Sequence, residues 1–208
     1  MTNELAQHCR QSGIKNETVL NAIESVTRSD FLPADLVDSA DVDQAMPIGH
    51  QQTISQPFVV ARMTELLMDN HRMQNVLEIG TGSGYQAAIL SQCVNQVYSI
   101  ERIKPLYLDV QQRLQQLGYD HIQLRFADGI SGWQEHAPFD GIIITAATAS
   151  VPPALINQLS DAGRMVLPLG TPGVSQRLCV INKNQDTLTT SYHDPVVFVP
   201  LLPGQTDT

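Results

Sequence analysis

Val76-Leu77-Glu78-Ile79-Gly80-Thr81-Gly82-Ser83-Gly84-Tyr85 is the stretch that decides the fold. A short apolar run breaks into three alternate glycines, and the helix-compatible segment Gln86-Ala87-Ala88-Ile89-Leu90 follows. That order is the strand, turn and helix of a nucleotide-binding loop at the first βα junction of a doubly wound sheet. Glycine suits such a turn because it accepts φ > 0 and has no Cβ to hold a ligand off the backbone. The spacing is G-x-G-x-G, whereas the dinucleotide pattern G-x-G-x-x-G needs glycine where Tyr85 stands. A glycine-rich turn is also a common plain connector, so the loop needs support from elsewhere in the chain.

The next β-prone run, Val97-Tyr98-Ser99-Ile100, supplies it by ending in Glu101, 21 residues after Gly80. An acid at the end of a second strand is placed to accept hydrogen bonds from the vicinal hydroxyls of a ribose. The bland alternative is a surface glutamate paired with Arg102 or Lys104. A third run, 122–126, leads into Ala127-Asp128-Gly129, where the acid can receive an adenine amine while a backbone N–H meets a ring nitrogen. Asp-Gly is equally a strong turn former. All three features fall at carboxyl ends of successive strands, where open α/β sheets bind ligands. Together with the missing glycine at position 85, they turn the reading from NAD towards the adenosyl-cofactor loop of methyltransferases. A fourth strand would end at Ile142-Ile143-Ile144-Thr145-Ala146-Ala147, whose small residues allow close approach of cofactor and substrate.

The 208-residue chain is long enough to bury one substantial core and reads as a single domain. Apolar residues make up 42% and charged residues 16%, which excludes a disordered chain. A net charge of -9 without a basic run disfavours nucleic acid as a partner. Cys9, Cys93 and Cys179 are odd in number and lack metal-ligand spacing, as expected of reduced thiols in a cytoplasmic protein. No signal-peptide core and no stretch near the roughly 18 apolar residues of a membrane span is present. The expectation is a cytoplasmic monomer with no membrane or nucleic-acid partner and no metal.

Helical spacing of Val19, Leu20, Ile23 and Val26 behind the capping candidate Asn16 predicts an early helix. Residues 31–56 form a long irregular segment punctuated by Pro33, Pro47 and Gly49, and Pro57 opens a helix to Met68 with Val59, Val60, Met63, Leu66 and Leu67 inward. Strands are predicted at 75–79, 96–100, 122–126, 140–145 and 163–168, and helices at 85–93, 105–117 and 152–159. This alternation implies α/β architecture: a Rossmann-like, doubly wound, mostly parallel sheet. Runs at 177–182, 187–192 and 196–202 would add antiparallel edge strands. The one domain then divides into an N-terminal helical, substrate-side segment (1–70), a Rossmann-like core (71–202) and a flexible tail (203–208).

A second unusual stretch is Pro47-Ile48-Gly49-His50-Gln51-Gln52-Thr53-Ile54-Ser55-Gln56-Pro57. Ser55 has a plain reading as the N-cap of the following helix, worth about 1 kcal/mol. No G-x-S-x-G elbow surrounds it, which removes the hydrolase serine. The six histidines form no triad or metal pattern, and His8, His71, His121, His136 and His193 read as surface or loop residues. His50 alone lies close in sequence to Ser55.

Pro47–Leu67, Val76–Gln86, Tyr98–Ile103, Asp128–Trp133, Ala137–Ala147 and Phe198–Leu201 together closely resemble the protein-L-isoaspartate O-methyltransferase family in its bacterial form. The blocks Thr53-Ile54-Ser55-Gln56-Pro57 and Ala137-Pro138-Phe139-Asp140 are the specific ones. The resemblance implies binding of S-adenosyl-L-methionine, with S-adenosyl-L-homocysteine as product. It also implies methylation of the free α-carboxylate of isoaspartyl residues in damaged proteins and peptides; the ester then cyclises unaided to a succinimide. It implies that Gly80, Gly82 and Gly84 lie under the methionine moiety and sugar, that Glu101 holds the ribose, and that Asp128 with Gly129 meets the adenine. Glu78 and Thr145 complete the expected cofactor set. Ser55 matches the family's active-site serine, and His50, Gln52, Thr53 and Ile54 join it on the expected substrate side.

Four positions depart from the family pattern. Gln51 replaces a glycine, Asp41 a common aromatic, Ala127 the first glycine of a G-D-G turn, and Val197 an arginine. These leave open a related enzyme acting on another carboxylate, or a cofactor-binding protein with weakened turnover.

Overall fold

A computed structural model describes residues 4–68, 73–171 and 174–207. Two helices open the chain: α1, Glu4–Gln11, and α2, Glu17–Ser25. The Asn16 carboxamide accepts from the Thr18 and Val19 N–H groups, which makes it the N-cap that the sequence predicts. Residues 28–31 and 34–39 form 3₁₀ turns, and a short hairpin follows, with β1 at Met46–Gly49 and β2 at Gln52–Ile54. Helix α3 spans Pro57–Met68 and buries Val60, Met63, Leu66 and Leu67, whereas Val59 is only half-buried and faces a cavity described below.

From here strand and helix alternate: β3 (Asn75–Ile79), α4 (Tyr85–Ser91), β4 (Gln96–Glu101), α5 (Lys104–Gln116), β5 (Ile122–Phe126), β6 (Phe139–Ile144) and α6 (Pro153–Gln158). Three long strands follow, β7 (Leu159–Thr171), β8 (Ser175–Asn184) and β9 (Thr187–Val196). The sheet order is β5-β4-β3-β6-β7-β8-β9, parallel up to β7 and antiparallel beyond it. Alternate residues feed opposite faces. Val76 and Ile143 join the core beneath α1–α4, while Leu77, Ile79, Ile142 and Ile144 join the core beneath α6. Connections leave β3 towards β4 on one side, and β6 flanks it on the other, so the topological switch point lies at the carboxyl end of β3.

Two expectations fail at the C-terminus. Residues 197–202 form no third edge strand, because β9 already pairs along β8 and ends at Val196. The chain instead turns across the carboxyl ends of the parallel strands. Phe198 N–H donates to the buried Gln176 carboxamide, and residues 199–201 zip along Ala147 through the Ala147 N–H to Val199 O and Leu201 N–H to Ala147 O bonds. Nor does the stretch after Leu202 hang free: Gly204, Gln205 and Thr206 hydrogen-bond to Asp128, Phe126, Arg102 and the Lys104 N–H. It docks there because α5 begins without a side-chain cap, and the Thr206 carbonyl takes one of its unsatisfied N–H groups.

Gly84 shows what the third loop glycine does. It sits at φ +89, and a Cβ there would stand 2.5 Å from Val110 Cγ2 on α5. Its absence lets α4 and α5 approach, so Gly84→Ala is expected to cost about 1–3 kcal/mol from overpacking alone. A urea midpoint that falls at unchanged slope would show this, and an unchanged midpoint would refute it.

Candidate active site

At the switch point lies a cavity of ≈ 610 Å³, within the size range of small-molecule sites. Its floor is the glycine loop. Gly80 and Gly82 line it at φ +98 and +54, and only Ile48 Cδ1, at 3.7 Å, would meet a Cβ on Gly82. The loop is pinned to the end of β6 by Thr145, whose hydroxyl donates to Gly80 O at 2.7 Å and lines the same cavity. A Cβ on Gly80 would occupy the place of that hydroxyl.

Glu101 is buried at 4% exposure, not a surface glutamate paired with Arg102 or Lys104. One carboxylate oxygen accepts from Gly82 N–H at 2.9 Å, the other from the Arg102 and Ile103 N–H groups at 2.8 and 2.9 Å. It lines the cavity while holding the loop's shape. Glu78, on β3, is fully buried and does not line the cavity. Ser99 Oγ donates to one of its oxygens, and the other has no partner among the described residues. Burial, with the like charge of Glu101 behind it, pushes this carboxyl up to about 8 against the hydrogen bond from Ser99.

Asp128 and Gly129 separate. Gly129 lines the cavity and Asp128 does not. The Asp128 carboxylate accepts from Ile130 N–H at 2.9 Å and from Gly204 N–H at 2.7 Å, so in this structure it caps its own turn and holds the tail rather than facing the cavity. Ala127 is not among the positive-φ residues, so its lack of a glycine carries no backbone strain.

Opposite the glycine loop, Gln52, Thr53, Ile54 and Ser55 line the cavity, and His50 does not. The N-cap reading of Ser55 fails. The α3 N–H group of Phe58 is taken by Asp43 Oδ1 at 2.8 Å, with Gln56 Nε2 donating to the other oxygen of that carboxylate at 2.7 Å. Ser55 Oγ has no hydrogen-bond partner among the described residues, and its carbonyl accepts from Arg28 at 3.3 Å. Arg28 is a residue that sequence reasoning missed. It is 3% exposed, and its guanidinium donates to the carbonyls of Ala40, Val42 and Gln44 as well, so it clamps the irregular segment under Ser55. Nothing in the local pattern distinguishes it from a surface arginine. Gln176 was missed for the same reason.

His50 and Gln51 form the two-residue tip of the β1–β2 hairpin at φ +50 and +57, the geometry that favours glycine at such turns. Glutamine at position 51 therefore strains the loop. Val197 sits at the rim of the cavity and is 80% exposed, whereas Asp41 lies outside the lining. Arg102 is the one lysine or arginine among the described lining residues, and its guanidinium donates to Gly204 O and Pro203 O. His71 lies outside the described residues.

Two outcomes follow. A carboxyl whose pKa rises on folding contributes stability below its ordinary value of 4.5, which is lost as pH climbs through about 8. The melting temperature of the native protein should therefore fall relative to Glu78→Gln between about pH 5 and about pH 9; parallel curves would refute the protonated Glu78. Gln51→Gly should relieve about 1 kcal/mol of left-handed strain, raising the melting temperature by about 2–4 °C. No gain would mean the hairpin tip is unstrained.

Residues 1–206 match the profile of the family described as Protein-L-isoaspartate(D-aspartate) O-methyltransferase (PCMT). A protein-L-isoaspartate O-methyltransferase 2 from Polaromonas sp. is 49% identical over 189 residues, 89% of this chain and 88% of that protein. A protein-L-isoaspartate O-methyltransferase from Colwellia psychrerythraea is 46% identical over 96% of this chain and 92% of its own length. Among solved structures, a protein-L-isoaspartate O-methyltransferase shares the fold at a TM-score of 0.85 and 24% identity, with 96% of this chain covering 65% of that one. Another, a putative protein-L-isoaspartate O-methyltransferase from Plasmodium falciparum in complex with S-adenosyl-L-homocysteine, aligns at a TM-score of 0.79 and 20% identity over 97% of this chain and 99% of its own. This chain belongs to the protein-L-isoaspartate(D-aspartate) O-methyltransferase family.

Proposed function

We propose that this protein transfers a methyl group from S-adenosyl-L-methionine to the free α-carboxylate of isoaspartyl residues in damaged proteins and peptides, with Ser55 as the group that orients the carboxylate. The observation that carries the Ser55 role is its unpartnered hydroxyl, in the cavity that also holds the glycine loop and Glu101. The cofactor reading is supported by the open Gly82 position and by the carboxylate of Glu101 on the cavity wall. Gly80, Gly82, Glu101, Gly129 and Thr145 would hold the cofactor, with Glu78 and Gly84 supporting the loop from behind. When bound, S-adenosyl-L-methionine supplies an electrophilic methyl on a sulfonium and leaves as S-adenosyl-L-homocysteine.

An α-carboxylate has a pKa near 3.5, so it is already an anion at neutral pH and needs no general base. The protein's task is to hold one oxygen in line with the methyl, and rate comes chiefly from that positioning. Neutral donors suit it. With the Arg102 guanidinium engaged by the tail, the hydroxyls of Thr53 and Ser55 are lining donors that have no partner among the described residues. We place the enzyme in the cytoplasm as a monomer without nucleic-acid partners. Its free cysteines and its charge of -9 support that reading. Among the described residues no helix is long and apolar enough to cross a membrane.

The test is transfer of labelled methyl from S-adenosyl-L-methionine to matched peptides. Base-labile label on the isoaspartyl peptide alone is expected, and equal labelling of the aspartyl peptide would overturn the substrate. Ser55→Ala should lower kcat by about tenfold or more with cofactor affinity within about twofold, since it removes a positioning contact and no cofactor contact. Asp43→Ala, which removes the true cap, should instead lower stability by about 1–2 kcal/mol. If Ser55→Ala affects stability alone, the assignment of Ser55 fails.

A further inference from the structure

The C-terminal tail has a place in the site that neither its length nor its composition announces. Leu202, Arg102 and Ile103 line the cavity. Residues 203–207 lie behind them and bond to the same corner at both ends. Arg102 donates from Nε to Gly204 O at 2.9 Å and from Nη2 to Pro203 O at 3.4 Å. Thr206 N–H donates to Arg102 O, and Lys104 N–H to Thr206 O, each at 2.9 Å, which makes a parallel bridge between Ile103 and Thr206. Gln205 Nε2 reaches Phe126 O at 2.9 Å, and Gly204 N–H reaches the Asp128 carboxylate at 2.7 Å. The tail's ion pair, Lys104 with Asp207 at 3.2 Å, is exposed and adds little in water.

These bonds join the ends of β4 and β5, the two strands whose termini carry Glu101 and Gly129. They complete a continuous path: Gly82 N–H to the Glu101 carboxylate, Glu101 to the Arg102 and Ile103 N–H groups, that backbone to Thr206, and Gly204 to Asp128. Without the tail, the Lys104 N–H at the start of α5 would be left bare, and the Arg102 guanidinium would lose the carbonyls that hold it.

We propose that residues 203–207 are a strap that positions the adenosyl end of the cofactor site, with the Asp128 carboxylate and the Arg102 guanidinium as its two anchors. The proposal rests on the cofactor reading above. Asp128 is then a positioning residue, acting through Gly204 and the turn that carries Gly129. The strap's hydrogen bonds fall on residues 102–104, 126 and 128, beside Glu101 and Gly129, and none is made to residues 52–55, so it bears on cofactor affinity and not on the peptide.

The test is a chain ending at Pro203, measured against the full chain by calorimetric titration with S-adenosyl-L-homocysteine and by steady-state transfer to an isoaspartyl peptide. The shortened chain is expected to bind the cofactor product about tenfold or more weakly. Its KM for peptide and its kcat at saturating cofactor should stay within about twofold, a split that general loosening of the fold would not give. If the shortened chain does not fold, Gly204→Pro serves in its place. Proline lacks the N–H that Asp128 accepts and cannot adopt φ +73, so only the strap is dislodged. Unchanged affinity in a folded variant, or equal losses for cofactor and peptide, overturns the strap. Absence of binding by the full chain overturns the cofactor reading itself and is distinct from both.

Discussion

The buried carboxylate of Glu101 ties together the parts of the molecule on which the site depends. Its two oxygens take three backbone N–H groups from two segments, the glycine loop and the entry to α5. Hydrogen bonds from neutral donors to a carboxylate are stronger than neutral pairs, and this one is removed from competing water. The loop therefore has its open shape before any ligand arrives. Gly82 can hold φ +54 without a Cβ, and Thr145 locks Gly80 from the β6 side. Two carboxyls lie near each other under the loop, and they divide the work. Glu101 has three backbone donors and shapes the loop. Glu78 has one donor in a dry setting, and burial holds its proton up to about 8.

Much of this was legible in the sequence because it depends on local period and on residues with few alternatives. The strands at 75–79 and 122–126, the Asn16 cap and the glycine loop follow from apolar alternation, capping chemistry and φ > 0, all of which act within a few residues. The partners of Ser55 were not legible. Asp43 lies fifteen residues before Phe58, whose N–H it takes, and no pattern in an irregular segment reports such a pairing. The same holds for Arg28, whose four carbonyl partners are spread over residues 40–55. Proline, glycine and polar residues after Leu202 read as a fraying end because end-fraying is the rule when nothing receives the backbone. Here the uncapped start of α5 receives it.

The displacement of the cap from Ser55 to Asp43 has a chemical consequence. A serine hydroxyl that accepts from a helix N–H has an oxygen lone pair committed and a restricted rotor. With Asp43 in that place, Ser55 keeps its donor free to aim into the cavity, and Arg28 fixes its backbone from beneath. The stronger cap, an anion at the positive end of α3, thus frees the weaker one for chemistry.

The same economy explains how a site for an anionic substrate works with a single lining cation already in use. A guanidinium free in the cavity would pair tightly with the substrate carboxylate, draw electron density from the oxygen that must attack, and bind reactant and product unequally in the wrong sense. The methyl ester is neutral and would gain nothing from it. Hydroxyl and amide donors orient the carboxylate while leaving most of its charge on the nucleophilic oxygen, and binding energy common to ground and transition states does not raise kcat. Arg102, folded back onto Pro203 and Gly204, is the one lysine or arginine among the described lining residues, and that contact turns its guanidinium onto the tail and leaves orientation to the neutral donors.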